Sequence, residues 1–182
     1  MIRKPIVAFL GHVDSGKTSL QDFIRKSTMT ERESGLITQH IGASSVPVET
    51  IERLCGCLLE DKKLNIPGLL FIDTPGHEAF TSLRKRGGSL ADIAILVVNI
   101  NEGFMPQTIE SVKILMENKT PFVIAANKID MISGWTEKKG SIIQKISQQS
   151  ESIKDNIQKK IYEIVGSLAE FNVQSERFDR VD

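Results

Sequence analysis

Cysteine is nearly absent: Cys55 and Cys57 are the only two in 182 residues. Two are too few for a disulfide framework, and they lack companion ligands for a zinc site. They read as part of a helix or its flank in a protein of the reducing cytoplasm. Net charge is absent as well, with 23 Lys and Arg against 23 Asp and Glu. That balance excludes a surface built as a whole for polyanions, so no DNA is expected and any contact with nucleic acid would be local. No apolar run approaches the roughly 20 residues of a membrane span. The N-terminus Met1-Ile2-Arg3-Lys4 leads straight into strand-like sequence rather than a signal peptide. No membrane partner is expected. What is present is length enough for one ordinary domain, 1–182, with a core of its own.

Ile6-Val7-Ala8-Phe9-Leu10 is a short continuous apolar run ending at Gly11, the pattern of a strand buried in a parallel sheet. Similar runs recur at Gly68 to Asp73, Ile93 to Ile100 and Phe122 to Ala126. Helical patterns lie between them at Thr18 to Arg25, Thr50 to Leu59 and Gln107 to Glu117. The last opens after Pro106, a residue pre-organised for a first helical turn. This alternation predicts an α/β fold, a mostly parallel sheet with right-handed crossovers and helices on both faces. Ala43 to Val48 is expected to add an antiparallel neighbour. Two stretches stand outside the alternation. Ser27 to Gly42 is polar and reads as a mobile loop. Thr136 to Phe171 is long and charged, with Ile143, Ile146, Ile153, Ile157, Ile161 and Ile164 at roughly helical spacing. It reads as a largely helical excursion on the surface, of which the simpler form is an amphipathic helix covering the core.

Three short motifs carry the chemistry. Gly11-His12-Val13-Asp14-Ser15-Gly16-Lys17-Thr18 matches G-x-x-x-x-G-K-[ST], with a strand before it and a helical pattern from Thr18 and Ser19 onward. Its backbone N–H groups, backed by a helix N-terminus, can wrap a polyphosphate. Lys17 would reach the β- and γ-phosphates and Thr18 would hold Mg²⁺. Asp73-Thr74-Pro75-Gly76 closes the next strongly apolar run; Asp73 can hold Mg²⁺ through water, and Gly76 lets a backbone N–H approach the γ-phosphate. Asn127-Lys128-Ile129-Asp130 follows the run at 122–126. Asp130 can accept from both N1–H and N2–H₂ of guanine, a pair adenine does not offer. Charge-assisted bonds of this kind are worth roughly 1.5–3 kcal/mol each, enough to exclude ATP.

The order GHVDSGKT, ITQHIGA, DTPGHE, NKID resembles the translational GTPases, a Ras-like P-loop NTPase fold, and covers nearly the whole chain. Ile37-Thr38-Gln39-His40-Ile41-Gly42-Ala43 is similar to the first switch of the initiation factor 5B family and its bacterial relative, initiation factor two. The stretch Leu69 to Phe80, then Leu83-Arg84-Lys85-Arg86-Gly87, and Gly134-Trp135 after the NKID motif all favour the 5B side. The short start before the first strand suits an archaeal form. The resemblance implies that Thr38 contacts Mg²⁺ and the γ-phosphate, ordering the first switch only with GTP. It implies that His77 orients the attacking water, flanked by Val13 and Ile37 as an apolar gate. It implies that Asp14 helps bind a monovalent cation, K⁺ or Na⁺, near the phosphates. His12 would be a structural loop residue, and His40 would pack beneath the switch.

Against the family pattern, Leu36 stands where a second glycine is usual, and Ser15 where histidine is common. Little effect is expected from Ser15. No Ser-Ala-x loop follows Asp130, no strand–helix pair follows Phe171, and no arginine finger sits in the phosphate loop. A C-terminally incomplete, monomeric GTP-binding domain is therefore expected, with the factor's downstream domains absent. The function implied is ribosome-stimulated GTP hydrolysis coupled to subunit joining, slow without the ribosome, with other initiation factors as further partners. Arg84-Lys85-Arg86 would face RNA phosphates or form a solvated helix end. The alternatives are a guanine-nucleotide module that does not turn over, and a related translational GTPase that delivers tRNA or translocates.

Overall fold

The computed structural model describes residues 2–29, 43–56, 64–72 and 91–180. Leu36, Ile37, Thr38, His40, Asp73, Gly76, His77, the basic run 84–86 and most of the polar stretch 27–42 lie outside the described residues. Among the described residues, five strands form one sheet: β1 (Ile6–Leu10), β2 (Ala43–Pro47), β3 (Gly68–Ile72), β4 (Ile93–Asn99) and β5 (Phe122–Asn127). Their order is β2-β3-β1-β4-β5. Strand β2 runs antiparallel to β3, and every other pairing is parallel. The apolar runs end close to where they were expected, because a strand buried on both faces has no polar alternation to blur its limits.

Among the described residues, five α-helices accompany the sheet: α1 (Lys17–Met29), α2 (Val48–Cys55), α3 (Pro106–Glu117), α4 (Ile142–Ser147) and α5 (Glu151–Ala169). On one face Ala94, Leu96 and Val98, alternating along β4, pack with Val112 and Leu115 of α3 and with Ile157, Ile164 and Leu168 of α5. On the other, Phe9 stacks on Phe71, with ring centroids 5.5 Å apart. Both faces of β1 and β4 are thus dry, as a parallel sheet requires.

The charged stretch after residue 136 takes the simpler of its two expected forms, amphipathic helix covering the core. It forms two helices, and the longer one is built into the core: Ile157 and Leu168 are each 1% exposed. Positions 157, 161, 164 and 168 share one face at helical spacing, so a polar composition coexists with a continuous apolar stripe. Helix α4 carries a capping box. The Ser141 hydroxyl accepts from Gln144 N–H, and the Gln144 side chain accepts from Ser141 N–H. Between the helices, the buried amide of Gln149 accepts from Thr136 N–H and Oγ1, and donates to the carbonyls of Thr136 and Lys145. That one side chain fastens the loop after β5 to the α4–α5 junction.

At the opposite end of the sheet, Arg3 clasps Asp92 with a two-pronged bond of 2.7 and 2.5 Å, and Ile6 N–H donates to the same carboxylate at 2.7 Å. The Arg3 bond first, and the Ile6 N–H second, hold the Asp92 carboxyl below the usual carboxylate range. A carboxylate lowered in the folded state adds stability above its unfolded value, and that contribution is lost as pH falls through the folded value. Asp92→Asn is therefore expected to lower the melting temperature modestly at pH 7, with the gap closing below about pH 4. The pair is open to solvent, so the effect stays small. Thermal melts of both proteins between pH 7 and pH 2.5 test this, and an unchanged gap at the acid end would assign it to packing.

Candidate nucleotide site

The site is built where β1 and β5 end, on the carboxyl edge of the parallel strands. Parallel strands deliver their C-terminal loops to one rim, which is where open α/β sheets bind ligands. Strand β1 runs into Gly11, whose φ of +137° and close approach to β4 exclude a side chain. A Cβ there would lie 2.2 Å from the carbonyl oxygen of Val97. Asp14 sits at φ 61° and Gly16 at φ +94°. Left-handed residues within such a turn point successive N–H groups inward, the concave arrangement that suits an anion. Helix α1 begins at Lys17, directly after Gly16. The Lys17 ammonium donates to the carbonyls of Gly11 at 2.8 Å and His12 at 2.6 Å, so the cation is held across the mouth of the loop. Thr18 and Ser19 are exposed on the first turn of α1.

Within the loop, side chains divide by direction. Val13 is 58% exposed, and its N–H donates to Oε1 of Gln107 at 3.1 Å. Ser15 is 1% exposed, and its Oγ has no hydrogen-bond partner among the described residues. The same holds for Nδ1 of His12. Ser15 therefore lies beneath the loop and offers its backbone rather than its hydroxyl.

The second half of the site follows β5. Asn127 Nδ2 donates to the carbonyl of Ser15 at 2.9 Å, joining two segments 112 residues apart. A Cβ on Gly16 would stand 2.2 Å from this same Nδ2 and 4.0 Å from Cε of Lys128. Lys128 takes a left-handed conformation, φ 62° and ψ 35°, and Ile129–Met131 forms a single 3-10 turn that leaves Asp130 exposed. The structure thus brings Val13, Asp14, Ser15, Gly16, Lys17, Thr18 and Ser19 together with Asn127, Lys128 and Asp130 on one rim. Thr38, Asp73, Gly76 and His77 are outside the described residues. Among the described residues no group of three or more His, Cys, Asp or Glu is placed to hold a metal ion, and no helix is long and apolar enough to cross a membrane.

Two contacts were not legible in the sequence. One is Gln107 on Val13; the other is Asn101, whose Nδ2 donates to the carbonyl of Lys128 at 3.1 Å. Each partner is far away along the chain, and an isolated Asn or Gln carries no motif. The only local signal was position: Asn101 lies in the connection that follows an apolar strand on the ligand rim, and Gln107 on the first turn of the helix after it.

The cradle suits a phosphate chain on its own geometry: both glycines sit where a Cβ would collide with neighbouring atoms, and the ammonium of Lys17 is the adjacent cation. For a divalent ion, the hydroxyl oxygen of Thr18 is a hard donor of the kind Mg²⁺ takes, and the Thr38 hydroxyl and Asp73 carboxylate are of the same chemistry.

Residues 3–176 match the family model of the elongation factor Tu GTP binding domain. The chain is 56% identical, over 99% of its length, to the probable translation initiation factor IF-2 of Thermococcus onnurineus, and 54% identical to that of Methanopyrus kandleri. It spans 31% of the length of each of these relatives. Among solved structures it is similar to GDP-bound aIF5B from Aeropyrum pernix, with a TM-score of 0.88 and 51% identity over 100% of this chain and 31% of that one. A bacterial selenocysteine-specific elongation factor, at TM-score 0.56 and 23% identity over 96% of this chain and 25% of that one, shares the fold alone. The chain belongs to the family of the elongation factor Tu GTP binding domain, and within it is similar to probable translation initiation factor IF-2 and to aIF5B.

Proposed function

We propose that this chain binds and hydrolyses GTP with Mg²⁺ as the switch domain of an initiation factor of the 5B type. The ribosome stimulates the reaction, and nucleotide state governs subunit joining in the cytoplasm. The bond from Asn127 Nδ2 to the Ser15 carbonyl carries this reading, because it makes one concave site of a phosphate loop and a base-reading turn. The presence of GDP on the similar Aeropyrum pernix protein supports it.

In this reading the loop from Val13 to Thr18 holds the phosphates, and Ser19 supports them from the first turn of α1. Lys17 exchanges its two carbonyl contacts for phosphate oxygens and offsets charge as it moves to the leaving group. Thr18, Thr38 and Asp73 would hold Mg²⁺, which supplies further neutralisation of the phosphate oxygens when bound. Gly76 offers a backbone N–H to the γ-phosphate. His77 orients the attacking water, with Val13 screening that histidine on its apolar side. Asp14 would hold a monovalent cation beside the phosphates. Asn127 and Lys128 shape the base pocket, and Asp130 reads guanine.

Asp130→Asn tests the base reading. The carboxylate accepts from the N2 amino group of guanine, whereas an amide can donate to the oxygen that xanthine carries there. Competition between GTP and XTP is expected to move from guanine to xanthine preference in the variant. An unchanged preference would place base recognition elsewhere. Single-turnover phosphate release, with and without archaeal ribosomal subunits, tests turnover. Equal rates in the two conditions would overturn stimulation by the ribosome.

A further inference from the structure

The connection between β4 and α3, residues 100–105, reaches both halves of the nucleotide site from outside it. At its start, Asn101 Nδ2 donates to the carbonyl of Lys128, the left-handed residue of the base-reading turn. Just past its end, Gln107 Oε1 accepts from N–H of Val13 in the phosphate loop. Neither side chain belongs to the three motifs.

The connection is rigid enough to transmit position. Buried Asn99 accepts at Oδ1 from Asn101 N–H, and at its carbonyl from the N–H groups of Glu102 and Gly103. The next residue, Ile100, is 2% exposed, and its N–H donates to the carbonyl of Asn127 at 3.0 Å. The far end is seated in α3, where the Ser111 hydroxyl donates to the Gln107 carbonyl and Thr108 and Val112 are buried. A tight turn locked to one loop and a core-packed helix locked to the other form a single stiff strut.

We propose that Asn101 and Gln107 are positioning residues for nucleotide recognition. Asn101 holds the base-reading turn so that Asp130 faces guanine, and Gln107 holds the phosphate loop through Val13. The two act on different parts of the ligand. Asn101 supports a residue that must accept two bonds from guanine, so its loss costs a ligand with two donors more than a ligand with one. Gln107 supports the phosphate side, which every nucleoside diphosphate shares. This division rests on the proposed reading of Asp130.

The test compares GDP with inosine diphosphate, which keeps N1–H and lacks the 2-amino group. Asn101→Asp preserves shape and removes the donor to Lys128; Gln107→Met preserves length and removes the acceptor for Val13. Asn101→Asp is expected to weaken GDP about two- to tenfold, the range of one hydrogen bond, and to weaken inosine diphosphate less, narrowing the ratio between them. Gln107→Met is expected to weaken both by the same factor within a similar range, leaving the ratio as in the parent chain. Melting temperatures without nucleotide check that the fold is intact, and a general loss of structure would weaken both ligands alike in both variants. A parent-like ratio in Asn101→Asp, a changed ratio in Gln107→Met, or parent-like affinity in both would overturn the proposal. The Asp130→Asn competition separates the failures. A guanine preference that survives that change defeats the base reading itself. A swapped preference together with a parent-like ratio in Asn101→Asp defeats the strut alone.

Discussion

His77→Ala is expected to leave nucleotide affinity nearly unchanged and to cut ribosome-stimulated phosphate release by roughly 10²–10⁴-fold, the range for a positioned acid–base group. The expectation follows from sequence position and resemblance together. His77 comes directly after Asp73-Thr74-Pro75-Gly76, whose glycine would lie against the γ-phosphate, so the next side chain can reach a water on that phosphate. The resemblance of DTPGHE to the translational GTPases implies a catalytic histidine at this place. Since the reaction in this class proceeds by positioning and charge stabilisation, losing the group that aims the water should lower turnover without loosening the ground state. Stopped-flow phosphate release beside fluorescent-nucleotide titration is the measurement. A variant that hydrolyses at the parent rate would remove His77 from the mechanism. One that loses affinity in proportion to rate would make it a binding residue instead.

Gly16→Ala should act in the opposite sense, on binding first. At φ +94° a residue with a Cβ is strained by about 1–2 kcal/mol. The new methyl group would also stand 2.2 Å from Nδ2 of Asn127, so the bond joining the phosphate loop to the end of β5 must break. Losing that bond adds roughly 1 kcal/mol. Together these predict about 2–3 kcal/mol, or roughly 30- to 200-fold weaker GDP binding. Isothermal titration decides it. Affinity within about twofold of the parent would mean that the site tolerates separation of its two halves and that the Asn127–Ser15 bond is not needed to bind nucleotide.

Much of this protein could be read without coordinates, and for a common reason: each legible feature is local in the chain. The runs at β1 and β4 are continuous because both faces of those strands are buried, and such a run declares its own length. The phosphate loop needs glycine at two places because a Cβ has no room there, so its spacing survives as a string. Asp130 is legible because it belongs to a four-residue turn after a strand. The stretch from 136 to 171 was half legible. Its isoleucine spacing announces helix, but whether an amphipathic face meets solvent, a partner or its own core depends on what stands opposite it, and a periodicity holds no such information. Only tertiary structure set Ile157, Ile164 and Leu168 against β4.

The same division runs through the site. Composition and motifs alone pointed to a phosphate-loop pattern, a turn of the kind proposed to read guanine, and a parallel sheet. They also spoke against a disulfide framework and an apolar membrane span, since both of those readings rest on counts. How the two loops are held to each other was decided by the fold. The amide of Asn127 on Ser15, Asn101 on Lys128 and Gln107 on Val13 each join residues that chain order leaves apart by 27 or more positions. Hydrogen bonds of this kind depend on angstrom-scale distances between separate strands and helices, and such distances exist only once the sheet has aligned its strand ends on one rim.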